Sequence, residues 1–168
     1  MIIRLILLSL VLWLGAAHAA SQDDNFLAAR EAFRIGDSKK LDLYAQRLKG
    51  HLLEPYVTYW RLHTRLDAAN PEDIRGFINA NRDSPLSERL RNDWLKLLGK
   101  NQQWELFEAE LPQLLNDDLE ITCYSLQSRV RIDTLALREA RPLWFVGRDL
   151  PESCTPLFNA LVASQQLS

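Results

Sequence analysis

Paired carboxylates are the side chains of this 168-residue chain whose spacing could support acid–base chemistry. Two carboxyl groups that flank a glycosidic bond can act as acid and base, and their separation decides the stereochemical outcome. The candidates are Glu72-Asp73, Asp117-Asp118, Glu108 with Glu110, and Glu139. The two adjacent pairs fall at predicted helix starts, where carboxylates complement the positive end of the helix dipole. A catalytic pair is therefore the weaker interpretation, and we predict no catalytic residue.

Other reactive groups are few. His51 and His63 are the only histidines after the first nineteen residues, and neither has a second histidine or a Glu-x-x-His arrangement at ligand spacing. We expect His63 to lie on the aromatic face of its helix and to be packed or partly exposed. There is no glycine-rich phosphate loop and no nucleophile-elbow motif, although a dispersed Ser-His-Asp triad stays open. The sequence predicts neither a metal site nor a cofactor.

Aromatic side chains could stack on sugar rings. The tryptophans and neighbouring tyrosines in question are Trp60, Trp94, Trp104, Trp144, Tyr56 and Tyr59. All fall on apolar helix faces, which favours core packing. Tyr56 and Tyr59 stay weak candidates for contact with a glycan or a protein partner, because they follow Glu54-Pro55 and could line an edge.

Cys123 and Cys154 are the two cysteines of the chain. When a chain in an oxidising compartment has only two cysteines, they usually form a disulfide. In the chain-entropy model, a bond that closes a loop of this length stabilises the folded state by about 3.5 kcal/mol, because it restricts the unfolded chain. Their spacing is not that of a redox pair. We predict a disulfide, with a free reactive thiol as the alternative.

The first nineteen residues have the pattern of an export signal. Arg4 precedes a short apolar run, Leu5 to Leu14, and Ala17-His18-Ala19 offers a small-x-small cleavage site. We predict a cleaved signal peptide at 1–19, a mature domain at 20–168 and a periplasmic location; an uncleaved anchor is the alternative. Loss of Arg4 leaves 19 basic against 22 acidic residues, a net charge of −3. That balance does not favour nucleic acid or anionic membranes as partners.

The remaining pattern is helical throughout. Apolar residues recur at three- and four-residue intervals, and no segment alternates with period two. The expected caps and first-turn prolines are Asn25, Ser38, Pro55, Asn70-Pro71, Ser84-Pro85, Asp133 or Thr134, and Thr155-Pro156; the expected helix stops are Gly36, Gly50 and Gly99. Pro142 should kink its helix. We predict an all-α fold, a right-handed α-superhelix or solenoid of about nine short helices in antiparallel hairpins, without a sheet.

Short motifs in a specific order carry a family resemblance. They are 32–37 (AFRIGD), 53–59 (LEPYVTY), 77–81 (FINAN), 94–95 (WL), 104–107 (WELF), 123–124 (CY), 143–147 (LWFVG) and 154–158 (CTPLF). With the signal peptide, they make the chain similar to the N-terminal helical region of the soluble lytic murein transglycosylases of Gram-negative bacteria. The likeness runs through essentially the whole predicted mature chain.

The resemblance implies a long α-superhelix that precedes a lysozyme-like catalytic domain. It also implies a reaction in which the MurNAc–GlcNAc bond of peptidoglycan is cut without water, giving a 1,6-anhydro product, and a disulfide between the two cysteines. The family's catalytic signature has no full counterpart here: residues 152–156 (ESCTP) imitate only its opening. We therefore expect no catalytic residue to carry over and no cleavage by this chain alone.

The expected function is that of a periplasmic scaffold domain of a lytic transglycosylase. Its partner would be peptidoglycan or a separate catalytic chain, and an open solenoid end would promote self-association. The alternative is a stand-alone periplasmic helical-repeat adaptor that binds protein partners. A third, weaker option is an independent hydrolase with an unrecognised acid pair.

Overall fold

The computed structural model describes residues 22–146 and 150–165. The predicted signal peptide, 1–19, lies outside these residues. The chain divides into two compact units, Met1–Asn81 and Arg82–Ser168.

The first unit is built from four described helices. These are 22–34 (α1), Ser38–Arg47 (α2), Glu54–Thr64 (α3) and Pro71–Ala80 (α4). Asn70 caps α4 as expected, because its side chain accepts a hydrogen bond from the backbone N–H of Glu72, and Pro71 supplies the first-turn proline.

Two of the expected caps of this unit are wrong. Asn25 does not begin a helix, because α1 already includes residue 22. Asp37, rather than Ser38, caps α2 by accepting from the N–H of Lys40. Gly36 does end α1: it has φ 73°, and the Asp37 N–H reaches back to the Ala32 carbonyl at 2.9 Å. This closing turn favours glycine.

Aromatic rings join α1 to α3. Trp60 is stacked against both Phe26 and Phe33, with ring centroids 5.3 and 5.6 Å apart. The other buried apolar side chains of this unit include Ala29, Ala32, Leu41, Leu48, Val57, Ile74, Phe77 and Ile78. The helices of this unit therefore owe their stability to one shared apolar interior.

The second unit contains four further α-helices and three 3₁₀ segments. The α-helices are Pro85–Lys100 (α5), Trp104–Glu110 (α6), Leu119–Val130 (α7) and Thr155–Ala163 (α8). The 3₁₀ segments are Leu111–Gln113, Thr134–Phe145 and Glu152–Cys154. Ser84 and Pro85 begin α5 as predicted.

Gly99 does not stop α5, contrary to the prediction. The helix continues to Lys100, and the residue with positive φ that ends it is Gln102, at φ 57°. Gly99 is buried inside the helix, where the side chain of Tyr124 on α7 lies against it. A contact between two helices, rather than a helix stop, requires glycine here.

The segment Thr134–Phe145 is a 3₁₀ helix rather than the kinked α-helix predicted. Asp133 caps it by accepting from the N–H of Leu135. Pro142 lacks an N–H and disfavours α geometry at the preceding residue, which is a local reason for the tighter winding.

The core of the second unit surrounds the end of α7. It contains Cys123, Leu126, Leu137, Ala140, Cys154, Leu157, Phe158 and Leu161. Nine helices of seven or more residues, and no strand, occur in the described part of the chain, which confirms the all-α prediction. None of these helices is long and apolar enough to cross a bilayer.

Candidate functional site

An open groove of about 1000 Å³ lies between α3 and α4 in the first unit. One face of α3 supplies Glu54, Thr58 and Arg61, and Arg65 follows directly after the helix. Side chains of α4, and the turns around residues 50–52 and 68–70, complete the walls. The groove is at the upper end of the size range of small-molecule sites, and it therefore is the candidate binding site of this unit.

Arg61 on α3 and Arg65, the residue directly after α3, share one carboxylate. Asp42 on α2 accepts a hydrogen bond of 2.7 Å from Nε of Arg61 and a second bond from a terminal nitrogen of Arg65. Partial burial opposes ionisation of Asp42, but the hydrogen bonds and charges of the two arginines outweigh it and lower the pKa of Asp42. The trio carries a net charge of +1 on the groove wall.

The acidic residues of the groove have mixed surroundings. Glu72 pairs with Arg75 at 2.6 Å, and Glu54 accepts a 2.6 Å hydrogen bond from the N–H of Gly50. Asp73 is exposed in the first turn of α4. The predicted pair Glu72-Asp73 therefore lies at the rim of the groove, at a helix start.

The two candidate tyrosines have different environments. Tyr56 is 45% exposed, whereas Tyr59 is 4% exposed and packs beside His63, with ring centroids 5.7 Å apart. His63 also contacts the edge of Phe33. Of the two tyrosines only Tyr56 presents a large surface, so any proposed contact of a tyrosine with a glycan or a partner rests on Tyr56.

The other candidate tryptophans belong mainly to the second unit's interior. Trp94 and Trp104 are buried, and Trp104 lies beneath the guanidinium of Arg131. Trp144 is 46% exposed although its ring meets the edge of Phe158. The packing interpretation thus describes Trp94 and Trp104 well and Trp144 only in part.

His51 is part of a turn. Its Nδ1 accepts a hydrogen bond from the N–H of Leu53 at 3.2 Å, and the side chain lines the groove. Within 22–146 and 150–165, no group of three or more histidine, cysteine or acidic side chains is placed to hold a metal ion.

The remaining predicted carboxylates have structural partners. Glu110 is buried and pairs with Arg91 at 2.9 Å, Glu139 pairs with Arg129, and Glu108 accepts a hydrogen bond from the hydroxyl of Ser128.

Asp118 caps α7 and pairs with Lys96 at 2.6 Å. Burial opposes its ionisation, yet Lys96 and the N–H of Ile121 lower the pKa of Asp118. Its neighbour Asp117 is exposed. Asp117 and Glu139 line one cavity of about 440 Å³, in which Arg129 pairs with Glu139.

The sequence 152–156 that imitates a catalytic motif lies at the start of α8. Glu152 is exposed, and the buried Ser153 donates to the carbonyl of Glu120. The backbone carbonyl of Ser153 accepts a 2.6 Å hydrogen bond from the side-chain amide of Gln127. Ser153 therefore anchors this turn to α7.

A disulfide joins Cys123 to Cys154 in the structure. Both cysteines are fully buried, and they connect α7 to the turn that precedes α8. The bond lies inside the apolar core of the second unit, where it ties together two segments 31 positions apart.

The sequence interpretation missed the arrangement of Asp42 with Arg61 and Arg65. Its only local signal is the four-residue spacing of the arginines, which brings two residues to the same side of a helical stretch. The position of Asp42 opposite them depends on how α2 packs against α3, which no local pattern reveals.

These features define an all-α protein of short helical hairpins, and its fold has solved counterparts. The 70-kDa soluble lytic transglycosylase of Escherichia coli superimposes with a TM-score of 0.70 at 20% identity over 89% of this chain. Its relative from Pseudomonas aeruginosa, lytic transglycosylase Slt, gives a TM-score of 0.67 at 26% identity over 86% of the chain. This likeness confirms the predicted fold class.

The sequence relatives agree with the structural neighbours. The soluble lytic murein transglycosylase of Escherichia coli K12 is 23% identical over 156 residues, which are 89% of this chain and 24% of that protein. The Salmonella typhimurium protein is 24% identical over 134 residues, 76% of this chain and 20% of the relative. No family model matches the chain.

The chain is thus similar to soluble lytic murein transglycosylases and spans about a quarter of their length. The resemblance stated from the sequence motifs is confirmed.

Proposed function

We propose that the chain is a periplasmic scaffold domain of the lytic transglycosylase type, which acts on peptidoglycan together with a catalytic domain. The observation that carries this proposal is the likeness to lytic transglycosylases over 89% of the chain, at a TM-score of 0.70. The signal-like sequence at 1–19 supports export.

The surroundings of the glutamates support a non-catalytic role. A transglycosylase acid needs a raised pKa, which requires a carboxyl group in an apolar setting that opens onto the substrate. Glu110 is the buried glutamate among the described residues, and it is paired with the guanidinium of Arg91 at 2.9 Å rather than set in an apolar pocket. The catalytic acid would therefore come from outside the described residues.

Murein sacculi provide a direct test. The purified chain is incubated with sacculi, the sacculi are sedimented, and the supernatant is analysed by mass spectrometry for 1,6-anhydro-muropeptides. We expect the chain in the pellet and no anhydro products. Anhydro products would show an active centre in this chain and overturn the non-catalytic role. A chain that stays wholly in the supernatant would contradict direct contact with murein.

An adaptor that binds protein partners is the second candidate. It is favoured by large apolar side chains that are exposed near the end of the second unit, namely Trp144, Phe145, Val146 and Val162. A contiguous exposed apolar patch is a common mark of a protein contact surface. Sedimentation equilibrium of the wild type and of Phe145→Asp, at matched concentrations, tests whether this apolar surface makes protein contacts. The sacculus assay separates the candidates, because the adaptor should stay in the supernatant.

A further inference from the structure

Both basic and acidic side chains line the groove of the first unit, namely Arg61, Arg65, Glu54, Glu72 and Asp73. Arg61 on α3 and Arg65, directly after α3, are four positions apart, and Asp42 balances one of their two charges. A guanidinium has five N–H donors, and the hydrogen bonds to Asp42 engage one nitrogen of each arginine. Both arginines line the groove and have further donors that a carboxylate could engage.

The opposite wall offers acceptors. Asp73 and Glu72 occupy the first turn of α4, and Glu72 is paired with Arg75. Asp73 is exposed and lines the groove. The carboxylate of Asp73 is thus placed to accept an ammonium group from a ligand that spans the two walls.

The space between the walls is open at its centre. Gly76 has no side chain, and a Cβ atom built on it meets nothing within 4 Å. Leu62 and Phe77 add apolar surface to the lining. A volume of about 1000 Å³ accommodates a ligand of several residues.

We propose that this groove binds a short peptide with free termini, whose carboxylate pairs with Arg61 and Arg65 and whose ammonium group pairs with Asp73. Recognition of both ends selects a zwitterionic peptide over a simple anion. The inference concerns the first unit alone and holds whether or not the chain acts with a transglycosylase.

Trialanine and its blocked forms test the proposal by titration into the isotope-labelled chain, followed by NMR. We expect shifts in residues that line the groove, a dissociation constant raised about tenfold by C-terminal amidation, and a smaller increase for N-acetylation. Acetate should bind more weakly than trialanine. Equal binding of the amidated peptide, or of acetate, would overturn the proposal, as would the absence of shifts at millimolar trialanine.

Four substitutions sharpen the test. Arg65→Gln removes the carboxylate contact, and Asp73→Asn removes the ammonium contact, so both should weaken binding. Asp42→Asn should strengthen it, because the arginines lose their internal partner. Gly76→Trp should block the groove while leaving every charge in place.

Arg30→Gln is the matched control, since Arg30 is an exposed arginine on α1 that does not line the groove. Its affinity for trialanine should equal that of the wild type. Circular dichroism of each variant separates loss of binding from loss of folding. If Arg65→Gln folds and binds as tightly as Arg30→Gln, the arginines are not the site.

Discussion

A Cβ atom placed on Gly99 would lie 2.3 Å from Cγ of Tyr124. The backbone of α5 and the ring of α7 therefore touch at a point where any side chain would force the helices apart. Gly76, in the middle of α4, is the opposite case, because its Cβ position is empty.

Gly99→Ala should destabilise the protein. The gain in helix propensity is outweighed by overpacking against a buried ring, which costs about 1–3 kcal/mol. Gly76→Ala is the control and should stabilise by about 0.5–1 kcal/mol, since alanine replaces glycine within an exposed stretch of helix. Urea unfolding monitored by circular dichroism measures both. A stable Gly99→Ala variant would show that Tyr124 can move away.

The buried pair Arg91–Glu110 should be sensitive to removal of one partner. The two residues are only 7% and 3% exposed. Glu110→Ala leaves an uncompensated guanidinium in the interior and should cost about 3–5 kcal/mol.

The double variant Arg91→Met/Glu110→Leu should recover much of that loss, because it removes both charges. The same unfolding experiment compares the two variants. If the double variant is as unstable as the single one, the loss comes from packing rather than from the unpaired charge.

Asp42 should make the first unit sensitive to acid. Its folded-state pKa lies below the ordinary value of 3.8, so the unfolded chain binds the proton more tightly. The stabilisation is therefore complete above pH 3.8 and is lost as the pH falls through the lower, folded-state pKa. Asp42→Asn should be less stable than the wild type at neutral pH, and the difference should shrink in acid. A difference that is constant with pH would contradict this.

Cys123 and Cys154 should resist thiol reagents until the chain is reduced. Both are buried and joined, so maleimide should label neither before reduction and both after reduction and unfolding, as read by mass spectrometry.

The double variant Cys123→Ser/Cys154→Ser should have a free energy of unfolding that is lower by about 3.5 kcal/mol, because no disulfide restricts its unfolded chain. Labelling of the native, unreduced protein would contradict the pairing.

Local signals in the sequence identified most of the helices. Asn70-Pro71 and Ser84-Pro85 begin α4 and α5 because a cap and a first-turn proline act through neighbouring backbone groups. The same reasoning failed at Ser38, since Asp37 one position earlier offers an equally good acceptor. It failed at Asn25 because α1 already includes residue 22.

The candidate site was much less predictable. The carboxylates and tyrosines chosen for their chemistry are at helix starts, in ion pairs or in packed faces, apart from Tyr56 and the exposed Asp73. The charged trio of the groove joins α2 to α3 across 19 and 23 positions of sequence. Such a contact depends on the packing of two helices, and periodicity within each helix does not specify it.

The sequence by itself determined the helical class, the family likeness and the apolar face of each helix, because propensity, capping and 3.6-residue periodicity act over a few neighbouring residues. Only the tertiary structure decided that Gly99 makes room for Tyr124, that Arg91 meets Glu110 in the interior, and that Arg61 and Arg65 share Asp42. Each of these depends on the distance between elements far apart in the chain, which is set when their apolar faces pack together.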